Sequence, residues 1–142
     1  MEILSQYHES IAIFIARTFL GCLFFFQGFD AVFKIKIRNV IETFRHDFAN
    51  KGIPRFVTVI GSWYTSLTEL ICGAMLILGL FQYPALILLG INLLMVAVAF
   101  GLNTAMWDTK YVLPRLILLL LLLIAPPAWD EWSLDVLIFN KF

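Results

Sequence analysis

Apolar residues run in long blocks, at about 11–33, 56–81, 85–106 and 109–126, with few charges inside them. A helix crossing bilayer hydrocarbon needs about 20 mostly apolar residues, so the first three blocks predict membrane spans. The most apolar part of the fourth, about Tyr111 to Ala125, would be only about 22 Å long as a helix. It is therefore expected to start early, with Asp108 as N-cap, or to sit where the bilayer thins. Pro114 suits a first helical turn, where N–H groups lack partners. Gln82-Tyr83-Pro84 between spans two and three predicts a tight antiparallel hairpin.

The pattern changes between spans one and two. Ile37, Val40, Ile41, Phe44 and Phe48 fall on one helical face, with Arg38, Glu42, Arg45, His46 and Asp47 on the other. An amphipathic helix over 36–51, stopped by Gly52, is predicted to lie in the membrane interface; a soluble cap on the bundle is the alternative. The tail after Ala128 is too short and polar to span. Trp129 and Trp132 suit headgroup level, and Ser133 is placed to cap a last short helix with Asp135 in its first turn. The expected fold class is all-α: a single domain, 1–142, forming an integral membrane four-helix bundle. An amphipathic interfacial helix lies between helices 1 and 2, with a short interfacial segment at the C-terminus.

Composition agrees. Of 142 residues, 61% are hydrophobic and 14% charged, against about 25% charged in a soluble domain; the mean hydropathy is +0.90. Formal net charge is zero, so no general basic surface recruits nucleic acid. Lys34, Lys36, Arg38, Arg45, Lys51 and Arg55 cluster between spans one and two, and Lys110 lies on the same side. Lys141 alone is opposite. The positive-inside rule then predicts a multi-pass cell-membrane protein, bacterial inner membrane by type, with both termini outside. With no Lys or Arg before Arg17, no cleavable signal peptide is expected.

Two charges stand inside the apolar blocks: Arg17 in the first and Glu69 in the second. A charge in hydrocarbon is costly unless paired or hydrated, and marks a functional site by default. At helical rise Arg17 lies about 9 Å below the terminal-side surface, and Glu69 about 10–18 Å below it, depending on where span two ends. Asn92 lies about 10 Å deep, so Arg17, Glu69 and Asn92 are expected to form one polar layer, with Asp135 of the tail as a further partner for the charges. This layer reads either as a fastener between helices or as a site for a quinone carbonyl, a lipid phosphate or a small acid. A proton-relay role for Glu69 is a third reading, which an arginine neighbour works against. A second layer, Gln27, Asp30, Asn103 and Arg115, is expected nearer the basic side, with Asp30 paired to Arg115 and Lys34 one turn from Asp30. Gly21, Gly28, Gly73, Ala97 and Gly101 mark places where helices approach closely.

Other chemistry is sparse. Cys22 and Cys72 form no C-x-x-C and read as small buried residues. Glu42 and His46 are spaced for a metal, but with no third ligand in view they read as a solvated helix face. No metal site is expected. Paired histidines at membrane depth, a glycine-rich phosphate loop and a nucleophile triad are all missing from the sequence. No catalytic residue is assigned.

Several strings taken in order resemble the DoxX family of small membrane proteins. They are Ala16-Arg17-Thr18-Phe19-Leu20-Gly21, then Phe26-Gln27-Gly28-Phe29 with Lys34, then Gly52-Ile53-Pro54. Glu69-Leu70-Ile71-Cys72-Gly73 with the leucine-rich run to Leu80 follows, and Trp132-Ser133-Leu134-Asp135 closes the series. The lysine falls six residues after Gly28, and Ala125-Pro126-Pro127 stands where the family often has Gly-Pro-Gly. The resemblance implies a four-helix bundle related to DoxD and to the methylamine-utilisation protein MauE. Relatives have been tied to thiosulfate:quinone oxidoreduction and to membrane redox complexes; dithiol chemistry of the MauE kind is not supported without a C-x-x-C. The expected function is a non-catalytic membrane subunit or adaptor that contacts lipid and other membrane proteins and holds a quinone or lipid headgroup at the buried layer. The alternatives are a quinone-reducing oxidoreductase subunit, with Arg17 orienting the quinone and Glu69 moving a proton, and a small transporter or lipid-handling protein. Self-association stays open.

Overall fold

The computed structural model describes residues 7–103 and 110–139. Among these every regular element is helical: α1 (His8–Phe29), α2 (Ile37–Phe48), α3 (Arg55–Leu78), α4 (Gln82–Asn103), α5 (Leu113–Ile124) and α6 (Leu134–Phe139). α1 continues through a π-helical turn, Asp30–Lys34, closed by the Ile35 amide donating to the Asp30 carbonyl at 2.8 Å. Three helices are long and apolar enough to cross a membrane: His8–Lys34, Arg55–Leu78 and Gln82–Asn103. α5 is apolar but has 12 residues, about 18 Å of helix. The expected cap Asp108 lies outside the described residues.

Two expected boundaries move. Gln82-Tyr83-Pro84 is not the connection; it opens α4, and Pro84 sits in the first turn, where a missing N–H costs nothing. The turn is Gly79–Phe81. Gly79 has φ +70° and lets the Leu80 amide reach back to the Met75 carbonyl at 2.9 Å, a glycine stop for α3. The amphipathic segment is helical as expected. It starts at Ile37, after Lys36 at φ +66°, and a 3₁₀ turn, Ala49–Lys51, ends it at Gly52, φ +67°.

α1 and α3 are antiparallel and touch backbone to backbone. A methyl group on Gly21 would lie 2.9 Å from the Gly73 carbonyl oxygen, and one on Gly73 would lie 2.5 Å from the Phe25 amide nitrogen. One on Gly28 would run into the backbone of Leu70. Such small-residue seams let membrane helices gain dispersion and weak C–H···O contacts without a hydrophobic driving force. The seam also fixes register, placing Arg17 beside the C-terminus of α3 and Gln27 near its middle.

The molecule is inside out relative to a water-soluble bundle. Phe19, Phe26, Ile60, Leu94, Val98 and Ile117 are exposed, while Arg17, Glu69 and Asn92 are almost wholly buried. Apolar residues outside and charges inside are what a hydrocarbon solvent selects. Leu20, Phe24, Leu76, Leu86, Leu89 and Leu119 fill the core between the polar groups.

Candidate functional site

The expected single layer divides into two clusters. Arg17 does not meet Glu69. Its Nη1 donates to the Leu76 carbonyl at 3.0 Å, its Nη2 to the Trp132 carbonyl at 2.9 Å, and its Nε lies 3.4 Å from Asp130 Oδ1. The separation follows from the glycine seam: opposite Arg17, α3 presents Leu76–Gly79, about 10–15 Å along the helix from Glu69. At the C-terminus of α3 the guanidinium meets the Leu76 carbonyl at the negative end of the helix dipole. Gly79 makes the room, since a Cβ there would collide with Arg17 Nη1.

Asp130, which no motif in the sequence singles out, is the counter-ion. It follows the 3₁₀ turn Pro127–Trp129, and its Oδ2 also accepts from Gln82 Nε2. Burial pushes the Asp130 carboxyl above the usual carboxylate range, while Arg17 and the Gln82 hydrogen bond pull it back down. Asp135 lies near enough to act on the Arg17 charge, as expected of it, and it has a second task. Its two oxygens accept from the Phe81 and Gln82 amides at 2.9 and 3.1 Å, so the tail caps the N-terminus of α4. Ser133 does cap α6, its Oγ accepting from the Val136 amide at 3.4 Å. Asp135→Ala is expected to cost about 0.5–2 kcal/mol, the range for a lost cap. Thermal unfolding in detergent checks this, and an unchanged midpoint would refute the capping role.

The second cluster lies deeper, and each of the four longest apolar helices gives one residue. Glu69 Oε1 accepts from Gln27 Nε2 of α1 at 3.0 Å and from Asn92 Nδ2 of α4 at 3.1 Å. Arg115 of α5 donates through Nη1 to Gln27 Oε1 and stacks over the Phe24 ring at 5.7 Å. Gln27 thus couples a cation to an anion without direct contact. Each cluster holds one buried acid and one arginine, so charge is compensated locally in both. The expected Asp30–Arg115 pair does not form: Asp30 takes Lys34 at 2.7 Å, and Asn103 takes Lys51 at 2.7 Å. Asn92 Oδ1 is buried with no hydrogen-bond partner among the described residues.

A cavity of about 570 Å³ lies between α2, α3 and α4, open on one side to the apolar exterior through Leu94 and Val98. Its walls are mainly apolar, from Ile91, Leu94, Val98 and Phe48, while Gln27, Ser62 and Thr65 supply polar groups. Gln27 therefore belongs both to the cavity and to the Glu69 cluster; Arg17 belongs to neither. Such a space, apolar with a few convergent polar groups, is of the size that receives small molecules. The signals for Gln27 and Arg115 were present in the sequence as polar residues in apolar blocks. Their link to Glu69 rather than to Asp30 depends on helix register.

No curated protein and no solved structure matches the chain. The DoxX family model matches residues 12–102, running from α1 to α4 and including Arg17, Gln27, Glu69 and Asn92. Arg115, Asp130 and Asp135 fall beyond it. With well over half of its length matched in one run, and with helices of membrane-spanning length in the matched region, the chain belongs to the DoxX family of membrane proteins.

Proposed function

We propose that the protein is an integral membrane subunit or adaptor that holds an amphipathic carbonyl-bearing molecule, of the quinone or lipid-headgroup kind, beside the Glu69 cluster. The observation that carries this reading is the cavity that ends on Gln27, one hydrogen bond from Glu69. A ligand ring would lie among Ile91, Leu94 and Val98, and its oxygen would meet Thr65 or Gln27. In this reading the end bearing α2 faces the cytoplasm with α2 in the interface, and α5 completes a fourth crossing where the bilayer is thin. Arg17 and Asp130 form a clasp that docks the tail and take no part in binding.

Gly61 gives a clean test. It lines the cavity, and a Cβ there meets nothing within 4 Å. Gly61→Leu fills the cavity, and within a helix a leucine in place of glycine is favourable by about 0.8 kcal/mol. The variant is expected to keep or raise the unfolding midpoint while quinone retained after gentle extraction falls about tenfold, a loss of about 1.4 kcal/mol. Undiminished retention of ligand by the folded variant would exclude this cavity as the site.

A further inference from the structure

The other flank of α2 carries a second groove, of about 720 Å³, separate in its lining from the first. Arg38 and Arg45 of α2 and Arg55 of α3 line it, with Glu42 the lone acid. No ion pair among the described residues takes up any of these three arginines. Two of them are placed against their own helices. Arg38 is in the first turn of α2 and Arg55 in the first turn of α3, and neither turn has an acid. A cation at the positive end of a helix dipole is unfavourable until an anion joins it. Below the arginines the lining turns apolar: Ile41, Val59 and Trp63. Trp63 lies eight residues along α3 from Arg55, about 12 Å farther along the helix axis, and is exposed on the apolar outer face. The groove thus has a cationic mouth and a continuous apolar floor.

We propose that this groove binds the phosphate of an anionic phospholipid, with Arg38, Arg45 and Arg55 on the phosphate oxygens and an acyl chain along Ile41, Val59 and Trp63. Guanidinium groups suit phosphate by geometry as well as charge. The apolar floor distinguishes a lipid from free phosphate, which would leave that floor unused.

The test is retention of phosphatidylglycerol by the full chain, measured by native mass spectrometry from nanodiscs that mix phosphatidylglycerol with phosphatidylcholine. The wild type is expected to retain phosphatidylglycerol selectively. Arg38→Gln, Arg45→Gln and Arg55→Gln are each expected to weaken retention about fivefold, from about 1 kcal/mol per basic residue at an anionic surface. Lys34→Gln with Lys36→Gln removes two charges from the same end but not from the groove, and is expected to leave retention unchanged. An equal loss in the lysine variant would reduce the effect to general surface charge and overturn the proposal. So would displacement of the lipid by millimolar inorganic phosphate, which would reassign the groove to the free ion. Gly61→Leu, which fills the other cavity, is expected to leave phosphatidylglycerol bound, so failure here and failure of the quinone or headgroup reading are separately visible.

Discussion

Arg17→Ala is expected to destabilise the protein by about 3–5 kcal/mol, the range for breaking a buried ion pair from one side. Arg17 is 1% exposed; it donates two hydrogen bonds and is the cation beside Asp130. Its loss leaves the Leu76 and Trp132 carbonyls without that donor and Asp130 buried without its cation. Because Asp130 and Trp132 belong to the tail, the variant should also release the segment after Pro127 to protease before the helices unfold. Arg17→Lys should recover little, since one ammonium cannot reach two separated carbonyls and stay beside Asp130 as a planar guanidinium does. The double variant Arg17→Met, Asp130→Asn should recover most of the stability, because it removes both charges together. Asp130→Asn alone should cost less than Arg17→Ala: burial already favours the protonated acid, and the amide keeps an acceptor for Gln82. Thermal unfolding and limited proteolysis in detergent read all four. A wild-type midpoint for Arg17→Ala would remove the clasp from the account.

Gly28→Ala is expected to cost about 1–3 kcal/mol, the usual range for overpacking, and Gly28→Leu more. The added carbon at Gly28 meets main-chain atoms of Leu70 and the Ser66 carbonyl oxygen, and backbone within a helix cannot turn aside as a side chain can. Pushing α1 from α3 would also draw Gln27 away from Glu69, one residue along the same seam. Gly28→Ala is therefore expected to lower both the unfolding midpoint and ligand retention, whereas Gly61→Leu lowers retention alone. Equal stability of Gly28→Ala and wild type would contradict the close seam. The contrast between two glycines of the same domain, one against backbone and one facing open space, tests packing rather than composition.

The long apolar blocks made three spans legible within a few residues of their observed ends, because the requirement for self-satisfied backbone in lipid leaves a helix as the one solution for such a segment. The period of Ile37, Ile41, Phe44 and Phe48 revealed α2 for the same local reason, and Ser133 announced α6. Pro84 misled: as a turn signal it suggested a connection, yet at a first turn it is a helix opener. Arg17, Glu69 and Asn92 were all recognisable as buried polar residues from their apolar neighbours. Their grouping was not, because a depth estimate that errs by a few residues at each end shifts a partner by one or two turns. The three seam glycines held the missing register, but only a structure shows which glycine faces which backbone.

By itself, then, the sequence determined what a hydrocarbon solvent imposes locally: helices, their approximate ends, the amphipathic segment, and the family. The tertiary structure decided who meets whom. Close contact at Gly21, Gly28 and Gly73 sets the α1–α3 register, which sends Arg17 to the tail and Asp130, and Gln27 to Glu69. The division of one expected layer into a clasp and a cavity-linked cluster follows from that register. Hydropathy is a property of each segment alone, whereas the partner of a buried charge is a property of how the segments are packed.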